Sequence, residues 1–320
     1  MGVLITGGAG FIGSHLARAL LKRGERVVVV DDFNDFYDPA VKRENAASLA
    51  QDRNFKLYEA DIRDRAKIER IIRDESPEYV CHLAARAGVG PSIEDPLLYE
   101  EVNCLGTLNI LESIKNLKLK NFVFASSSSV YGEASKSPFS EEDPVGHPIS
   151  PYAATKRAGE LMMFTYSHLY ALPVTCLRFF TVYGESGRPD MAVARFTEFI
   201  DQGKPVPVYG DGTIKRDFTY VGDIVKGILG SIYTPFRYEI INLGNAHTTE
   251  LIRLISIIEA KLGKKAEINF LPGKSWDVPI TFADVGKAKR LIGFEPAVSL
   301  EEGIGRYVKW YLAKSLRMAH

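Results

Sequence analysis

The chain has 320 residues, of which 46% are hydrophobic and 25% are charged, as in ordinary globular proteins of one large or two smaller domains. Its 40 basic and 40 acidic residues balance to a formal net charge of zero, which argues against binding to nucleic acid or to an anionic membrane. Three widely spaced cysteines suggest neither disulfides nor a metal site, and without a signal segment or a bilayer-length apolar run we expect a cytoplasmic protein.

The N-terminal stretch places a glycine-rich turn between a strand and a helix. Val3-Leu4-Ile5 predicts a buried strand, the turn runs from Gly7 to Gly13, and a helical pattern covers Ser14 to Lys22. A second apolar strand, Val27 to Val30, ends at Asp31. In this order the elements are typical of a dinucleotide-binding fold, because glycines let the backbone approach a pyrophosphate at the helix N-terminus. A carboxylate after the second strand would accept from ribose hydroxyls and repel a 2′-phosphate, so the pattern favours NAD over NADP.

Strand–helix alternation continues through the first half of the chain. It predicts strands at Phe55 to Tyr58, Tyr79 to His82, Asn121 to Ala125 and Val174 to Phe179, with one long helix from Pro96 to Leu117. We therefore expect an α/β fold with a doubly wound parallel sheet of the Rossmann type. The carboxyl ends of such strands meet at one edge, which would hold Asp61, Leu83-Ala84-Ala85 and the run Ser126 to Ser129.

Beyond Tyr183 the predicted elements become shorter. Helices are expected near 193–202, 221–232, 249–262, 284 and 300, with strands near 206–209, 239–242 and 266–270. We expect an NAD-binding domain over residues 1–180, with a later return segment near 213–245. Residues 181–320 would then form mainly a smaller α/β domain that binds the substrate, with the ligand cleft between the two.

A helix that begins at Pro151 carries the candidate catalytic pair. Ser150 is a suitable cap, proline is tolerated at the first helical position, and Tyr152 and Lys156 then share one face. A nearby ammonium should lower the pKa of the Tyr152 phenol. Tyr–Lys pairs are also common on helix surfaces, but Ser127 is expected at the same sheet edge. The three side chains suit removal of a proton from a hydroxyl while its carbon loses hydride to NAD+, with Ser127 sharing the hydrogen bond and Tyr152 accepting the proton.

The motifs together resemble a known family over essentially the whole chain. The glycine turn, the serine run before Val130-Tyr131-Gly132, and the Tyr152–Lys156 pair are similar to the extended short-chain dehydrogenase/reductase family, in its NAD-dependent epimerase/dehydratase branch for nucleotide sugars. Four stretches resemble UDP-glucuronate 4-epimerases in particular: Asp31 to Arg43, Arg178 to Gly184, Gly187 to Met191, and Lys215 to Tyr220.

These motifs and the resemblance imply a set of NAD-binding residues. Asp61 would meet the adenine edge or cap the following helix, and Lys156 would hold the phenolate and the nicotinamide ribose. The full set is Gly7, Gly10, Phe11, Ile12, Gly13, Asp31, Asp61, Ile62, Leu83, Ala84, Ala85, Asn103, Tyr152, Lys156 and Phe180.

The resemblance also implies a UDP-sugar site and a homodimer. Arg216 would bind the diphosphate, Asp277 would lie near the ribose, and Thr181 with Arg188 would hold a sugar carboxylate; Arg195 is a weaker candidate for the diphosphate or for a structural ion pair. The full set is Ser92, Ser127, Ser129, Thr181, Arg188, Arg195, Arg216 and Asp277. A homodimer is implied through the helices near 96–117 and 150–170.

Two departures from related sequences bear on the reaction. Gly90-Pro91-Ser92 lies where related epimerases often carry an arginine, and this puts part of the grip on the substrate in doubt. Ser129 stands where dehydratases and UDP-glucuronate decarboxylases carry an acid, which argues against elimination and decarboxylation. The resemblance therefore implies interconversion of UDP-glucuronate and UDP-galacturonate with retained NAD. The alternatives are a UDP-glucose/galactose 4-epimerase, a UDP-glucuronate decarboxylase and a non-catalytic NAD(H)-sensing protein.

Overall fold

The structure is a computed structural model that describes residues 2–133, 136–274 and 276–318. The N-terminal half contains, in chain order, β1 (Gly2–Thr6), α1 (Phe11–Lys22), β2 (Arg26–Asp31), α2 (Pro39–Ala47), β3 (Phe55–Glu59), α3 (Arg65–Glu75), β4 (Tyr79–His82), α4 (Val89–Glu94), α5 (Pro96–Tyr99), a π-helical segment (Glu100–Gly106), α6 (Thr107–Ile114), β5 (Asn121–Ser127), a 3-10 turn (Ser128–Tyr131), α7 (Pro151–Tyr170) and β6 (Val174–Phe179).

The remaining elements are shorter and more mixed. They are β7 (Thr181–Tyr183), α8 (Ala192–Asp201), β8 (Val206–Tyr209), β9 (Lys215–Arg216), β10 (Phe218–Tyr220), α9 (Val221–Tyr233), β11 (Tyr238–Leu243), β12 (Thr249–Glu250), α10 (Leu251–Leu262), β13 (Ile268–Leu271), α11 (Gly286–Ile292) and α12 (Leu300–Met318).

Seven parallel strands form the central sheet, in the order β3-β2-β1-β4-β5-β6-β11. Successive residues of the inner strands point to opposite faces: Val27 and Val29 pack into one hydrophobic cluster, and Val28 and Val30 into another. Burial on both faces explains why these strands are continuous apolar runs. The strand order reverses between β1 and β4, and this is where ligands bind in open α/β sheets. The predicted fold class is confirmed.

Among the described residues after β6, one strand, β11, joins the central sheet. Strand β11 pairs with β6, with Tyr238 opposite Val174, and it lies in the region near 213–245 where a return segment is expected. Three two-stranded pairs, β7–β10, β9–β12 and β8–β13, lie outside the main sheet. The division into domains itself stays a prediction.

The expected helix over 96–117 runs without a break from Pro96 to Ile114, but a π-helical segment separates its two α-helical parts, α5 and α6. Within the π segment, the Asn103 amide donates to the Arg86 carbonyl and the Thr155 hydroxyl, both at 3.0 Å, and its oxygen accepts from the Arg86 N–H at 2.8 Å. The π turn thus coincides with a side chain that ties the loop after β4 to α7. Widened turns of this kind are frequent at functional sites.

Two observations on the described residues concern other classes of protein. No helix in ranges 2–133, 136–274 and 276–318 is both long and apolar enough to cross a membrane. In the same ranges, no group of three or more His, Cys, Asp or Glu side chains is arranged to hold a metal ion.

His82, at the end of β4, is a core residue whose ring nitrogens both have hydrogen-bond partners. One nitrogen lies 2.6 Å from the Thr6 hydroxyl and the other lies 2.9 Å from the Thr107 hydroxyl.

Candidate active site

A cavity of about 400 Å³ opens at the carboxyl ends of the central strands. Many of the residues predicted from sequence line it together: Gly7, Gly10, Phe11, Ile12, Gly13, Asp31, Ile62, Leu83, Ala84, Ala85, Ser127, Ser129, Tyr152, Lys156, Phe180, Thr181 and Arg188. The cavity therefore combines the predicted dinucleotide end with the predicted catalytic triad and with one arginine.

The glycine turn leaves backbone where side chains would otherwise stand. Gly7 has φ of +70°, and a Cβ there would lie 2.8 Å from the Ala84 backbone nitrogen. A Cβ on Gly13 would lie only 2.2 Å from the Gly7 carbonyl oxygen. Because no side chain intervenes, the N-terminus of α1 faces the cavity directly. This geometry fits a pyrophosphate, which helix N-termini bind through free N–H groups and the helix dipole.

Asp31 lies at the end of β2 with its carboxylate buried. One oxygen accepts from the Ala9 N–H and the other from the Phe33 N–H, both at 3.0 Å. Burial raises the pKa of Asp31, and the hydrogen bond from Phe33 and the Lys42 ammonium offset this only in part. An ionised carboxylate has about four acceptor positions, so two remain for ribose hydroxyls. The residues present thus fit NAD.

The catalytic triad converges, but its electrostatics differ from the expectation. The Lys156 ammonium donates to the Ala125 carbonyl at 2.8 Å, and burial lowers its pKa to about 8. Burial raises the pKa of Tyr152, while its hydrogen bond with Ser127 and the charge of Arg188 oppose this rise. The predicted lowering of the Tyr152 pKa by Lys156 is therefore wrong in this arrangement, because the ammonium is directed at the end of β5 and desolvation dominates.

Arg188 brings a positive charge to the same cavity. Its guanidinium donates to both carboxylate oxygens of Asp190, at 3.0 and 2.5 Å, and lies 5.0 Å from the centre of the Phe36 ring. Thr181, on β7, donates its N–H to the Asp217 carbonyl at 3.1 Å and also lines the cavity. Arg188 and Thr181 therefore line the same cavity.

Two predicted cofactor residues lie outside the cavity lining. Asp61 accepts from the Arg63 guanidinium at 2.7 and 3.0 Å, while its neighbour Ile62 lines the cavity. Asn103 is buried and bonded to the loop after β4, as described above. Asn103 thus holds the loop after β4 in place through the backbone of Arg86. A direct contact of Asp61 or Asn103 with NAD stays a prediction.

Four predicted substrate residues also lie outside the lining. The Ser92 hydroxyl is buried and donates to the Val89 carbonyl at 2.6 Å. Arg195, on α8, lies 5.4 Å from the centre of the Phe199 ring. Arg216 and Asp277 form an ion pair with each other. This pair supports a common location for the two residues, but the contact of all four with a substrate stays a prediction.

Some cavity residues were not assigned a role from sequence: Asn34, Phe36, Tyr37, Lys42, Val89 and Met191. Four of them belong to the polar and aromatic stretch Asp31 to Arg43, which carries part of the family resemblance but gives these four residues no individual role. The Lys42 ammonium donates to the Asn34 carbonyl at 3.0 Å and thus closes this loop against the cavity. The sequence signal for these cavity residues is a lysine and aromatic residues that closely follow Asp31, the predicted ribose-binding acid.

Comparison with known proteins agrees with the geometry. The family model described as GDP-mannose 4,6 dehydratase matches residues 4–307. A UDP-glucuronate 4-epimerase of Thermodesulfobacterium geofontis is 46% identical over 308 residues, which are 96% of this chain and 95% of that protein. The crystal structure of UDP-glucuronic acid 4-epimerase from Bacillus cereus, in complex with UDP-glucuronic acid and NAD, superposes with a TM-score of 0.93 at 37% identity, covering 98% of this chain and 100% of that one.

Epimerases of neutral sugars are also similar. The structure of UDP-glucose 4-epimerase from Thermotoga maritima, with UDP-glucose, superposes with a TM-score of 0.90 at 36% identity, covering 99% of this chain and 100% of that one. The matches span nearly the full length of every chain concerned. The chain therefore belongs to the NAD-dependent epimerase/dehydratase branch of the extended short-chain dehydrogenase/reductase family.

Proposed function

We propose that the protein is an NAD-dependent UDP-glucuronate 4-epimerase, which interconverts UDP-glucuronate and UDP-galacturonate. The observation that carries this proposal is the placement of Arg188 in the same cavity as Ser127 and Tyr152. A planar guanidinium matches a carboxylate in a two-pronged geometry that a neutral hexose does not use. The full-length similarity to epimerases of UDP-glucuronate supports it.

The chain's own residues handle the proton of the reacting hydroxyl. NAD, when bound, supplies the two-electron oxidation and reduction at C4 of the sugar. Ser127 would orient the C4 hydroxyl, and Tyr152 would accept its proton and later return it. Burial raises the pKa of Tyr152, which makes its phenolate a stronger base once formed. Lys156 stabilises that end of the site through its charge and holds it to β5 through the Ala125 carbonyl.

The oxidised sugar is open to a side reaction, the loss of CO2. A ketone at C4 makes the sugar a β-keto acid, which loses CO2 most easily when its carboxylate stands perpendicular to the ketone plane. We propose that Arg188 and Thr181, with Ser129, hold the carboxylate away from that orientation while the keto sugar turns over. Ser129 in place of an acidic side chain also leaves no carboxylic acid at that position to assist decarboxylation.

The experiment is a product analysis with the purified protein and no added NAD+. Incubation with UDP-glucuronate should yield UDP-galacturonate, and little UDP-4-keto-pentose should form. A strong preference for UDP-galactose would instead favour the neutral-sugar epimerase, for which the similarity to the Thermotoga maritima enzyme is the supporting observation. Turnover that is unchanged in Tyr152→Phe would contradict the assigned base, and no turnover of any UDP-sugar would favour an NAD(H)-sensing protein.

We further propose a homodimer formed by one apolar patch. The patch consists of exposed side chains on α5, the π segment and α7: Leu97, Leu105, Leu161, Phe164 and Leu169. Exposed apolar patches of this kind commonly mark protein–protein interfaces.

The cysteines Cys81, Cys104 and Cys176 are buried and free, which supports a reducing, cytoplasmic location.

A further inference from the structure

We propose that Glu185 is a positioning residue that sets the direction of Arg188, and that Tyr220 and His15 hold it in place. The inference rests on the proposed function, because it concerns the grip on the sugar carboxylate. Glu185 lies in the loop 184–191, which joins β7 to α8 and carries Arg188 into the cavity.

The loop is compact and its turn is sterically defined. Gly184 has φ of +150°, and a Cβ there would lie 2.4 Å from a Val221 methyl group, so β7 must end in a sharp turn at this glycine. The Gly187 N–H donates to the Gly184 carbonyl at 3.0 Å, and the Met191 N–H donates to the Arg188 carbonyl at 3.2 Å. These local bonds shape the loop, but they do not attach it to the rest of the protein.

Glu185 provides that attachment on two sides. The buried Tyr220 hydroxyl, at the end of β10, donates to both carboxylate oxygens of Glu185, at 2.9 and 2.8 Å. The Glu185 carbonyl accepts from the His15 ring nitrogen Nε2 at 2.8 Å. Burial raises the pKa of Tyr220 to about 12, so this hydroxyl stays a donor throughout the neutral range.

The two attachments lead to different parts of the active site. His15 is on α1, whose first turn, with Phe11 and Ile12, lines the cavity at the dinucleotide end. Tyr220 is on β10, which pairs with β7 in a register that sets Tyr220 opposite Tyr183 and Phe218 opposite Thr181, so the strand that carries Tyr220 lies beside the strand that carries Thr181. Glu185 therefore fixes the loop relative to both the cofactor side and the sugar side. Arg188 follows three residues later, and the side-chain hydrogen bonds of its guanidinium go to Asp190, in the same loop.

This arrangement predicts what a loose loop would do. A displacement of about 1 Å in a positioning group can cost up to roughly 100-fold in rate. If Arg188 releases the carboxylate of the keto sugar, the C5–C6 bond can align with the carbonyl and break. Its electron pair then moves to the C4 oxygen as an enolate, CO2 leaves, and C5 takes a proton from water. The hydride removed from C4 stays on the cofactor as NADH, and UDP-4-keto-pentose is released.

The test compares ligands with and without the carboxylate. Tyr220→Phe removes only the hydroxyl that holds Glu185, and binding of UDP-glucuronate and of UDP is measured by calorimetry. We expect the affinity for UDP-glucuronate to fall about tenfold, within the range for positioning defects, while the affinity for UDP stays unchanged. CO2 release per epimerisation should rise. Glu185→Ala should behave like Tyr220→Phe, and Glu185→Gln, which keeps an acceptor oxygen, should restore part of the affinity.

Two controls separate positioning from general damage. Tyr311→Phe removes a similar tyrosine–carboxylate bond, in which the Tyr311 hydroxyl on α12 donates to Asp201 at the end of α8 at 3.2 Å, and should change neither affinity. In an Arg188→Ala background, Tyr220→Phe should add no further loss, because residues that act through one another are not additive.

Three outcomes would overturn the role of Glu185: an unchanged affinity for UDP-glucuronate in Tyr220→Phe, a parallel loss of UDP binding, or an equal loss without Arg188. Wild-type protein that fails to epimerise UDP-glucuronate would instead refute the proposed function.

Discussion

Glu160 of α7 and Arg178 of β6 form a buried ion pair. The loss of folding stability on breaking this pair can be calculated. Their side chains are 0% and 1% exposed. The Arg178 guanidinium donates to the two carboxylate oxygens at 2.8 and 3.0 Å, and the Ser126 hydroxyl donates to one of them at 2.6 Å. Burial alone would raise the pKa of Glu160, but these hydrogen bonds and the Arg178 charge outweigh it, and the net shift is downward. The carboxyl is therefore ionised at neutral pH.

The substitution Glu160→Gln leaves the guanidinium buried without its counter-charge. Breaking such a pair from one side costs about 3–5 kcal/mol of folding free energy. Since domains are stable by only about 5–15 kcal/mol, this loss is a large fraction of the total. It should lower the melting temperature by roughly 10 °C, at about 2–4 °C per kcal/mol for proteins near this size. Because the folded-state pKa of Glu160 is lowered, the wild-type advantage should be lost as pH falls through that lowered value.

Urea unfolding at neutral pH measures the effect in three variants. Glu302→Gln is the matched control, because its ion pair with Arg306 is about half exposed and should contribute about 1 kcal/mol or less. Replacing both buried partners, as in Glu160→Met with Arg178→Met, should recover most of the stability, since no buried charge stays unpaired and Arg157, which also donates to Glu160 at 2.9 Å, is 29% exposed and can be hydrated. A loss below about 1 kcal/mol in Glu160→Gln would refute the reasoning from buried charge.

Three further predictions test other parts of the site. Gly13→Ala should abolish retention of NAD in the purified protein, measured from its absorbance and by extraction, because the new Cβ would meet the Gly7 carbonyl at 2.2 Å; normal NAD content would contradict this. Arg188→Ala should weaken UDP-glucuronate binding about 10- to 100-fold, as expected for a lost charge-assisted hydrogen bond, and increase UDP-4-keto-pentose per turnover; unchanged CO2 release would refute the clamp. Phe164→Glu replaces a 54% exposed ring of the apolar patch by a carboxylate. The molar mass measured by light scattering should then fall from that of a dimer to that of a monomer, whereas a persistent dimer would exclude this interface.

The parts of the site that follow local rules could be predicted from the sequence. The glycine turn and Asp31 lie at adjacent ends of one βαβ unit, and Tyr152 and Lys156 are separated by one helical turn. Each of these positions depends on geometry within about thirty residues, so spacing alone determines it. The Ser150 cap behaves in the same way: its hydroxyl accepts from the Ala153 N–H at 3.1 Å, as the helix start requires.

The parts that failed depend on distant partners. The π turn at Asn103 coincides with amide bonds to Arg86 and Thr155, and no helical periodicity carries that information. The pKa of Tyr152 was predicted from its neighbour on the helix, yet burial by other elements decides its direction. Glu185 receives no role from the sequence, because its partner Tyr220 is 35 residues away. Long-range packing overrides local pattern at each of these residues.

One stripe of α7 explains how the base is placed with the accuracy that proton transfer requires. Tyr152, Lys156 and Glu160 are spaced four residues apart and therefore lie along the same face of the helix. Lys156 is bonded to the Ala125 carbonyl of β5, and Glu160 is bonded to Ser126 of β5 and to Arg178 of β6.

Three consecutive residues at the end of β5 thus face the stripe in order: Ala125 bonds Lys156, Ser126 bonds Glu160, and Ser127 lies with Tyr152 at the cavity. The first two contacts are buried and contain no group that the reaction changes. They fix the register of α7 on the sheet, so that the third pair, the one that moves a proton, keeps its geometry while the charge on Tyr152 changes. An enzyme that must take a proton and return it to the same oxygen requires a base that does not move between the two steps.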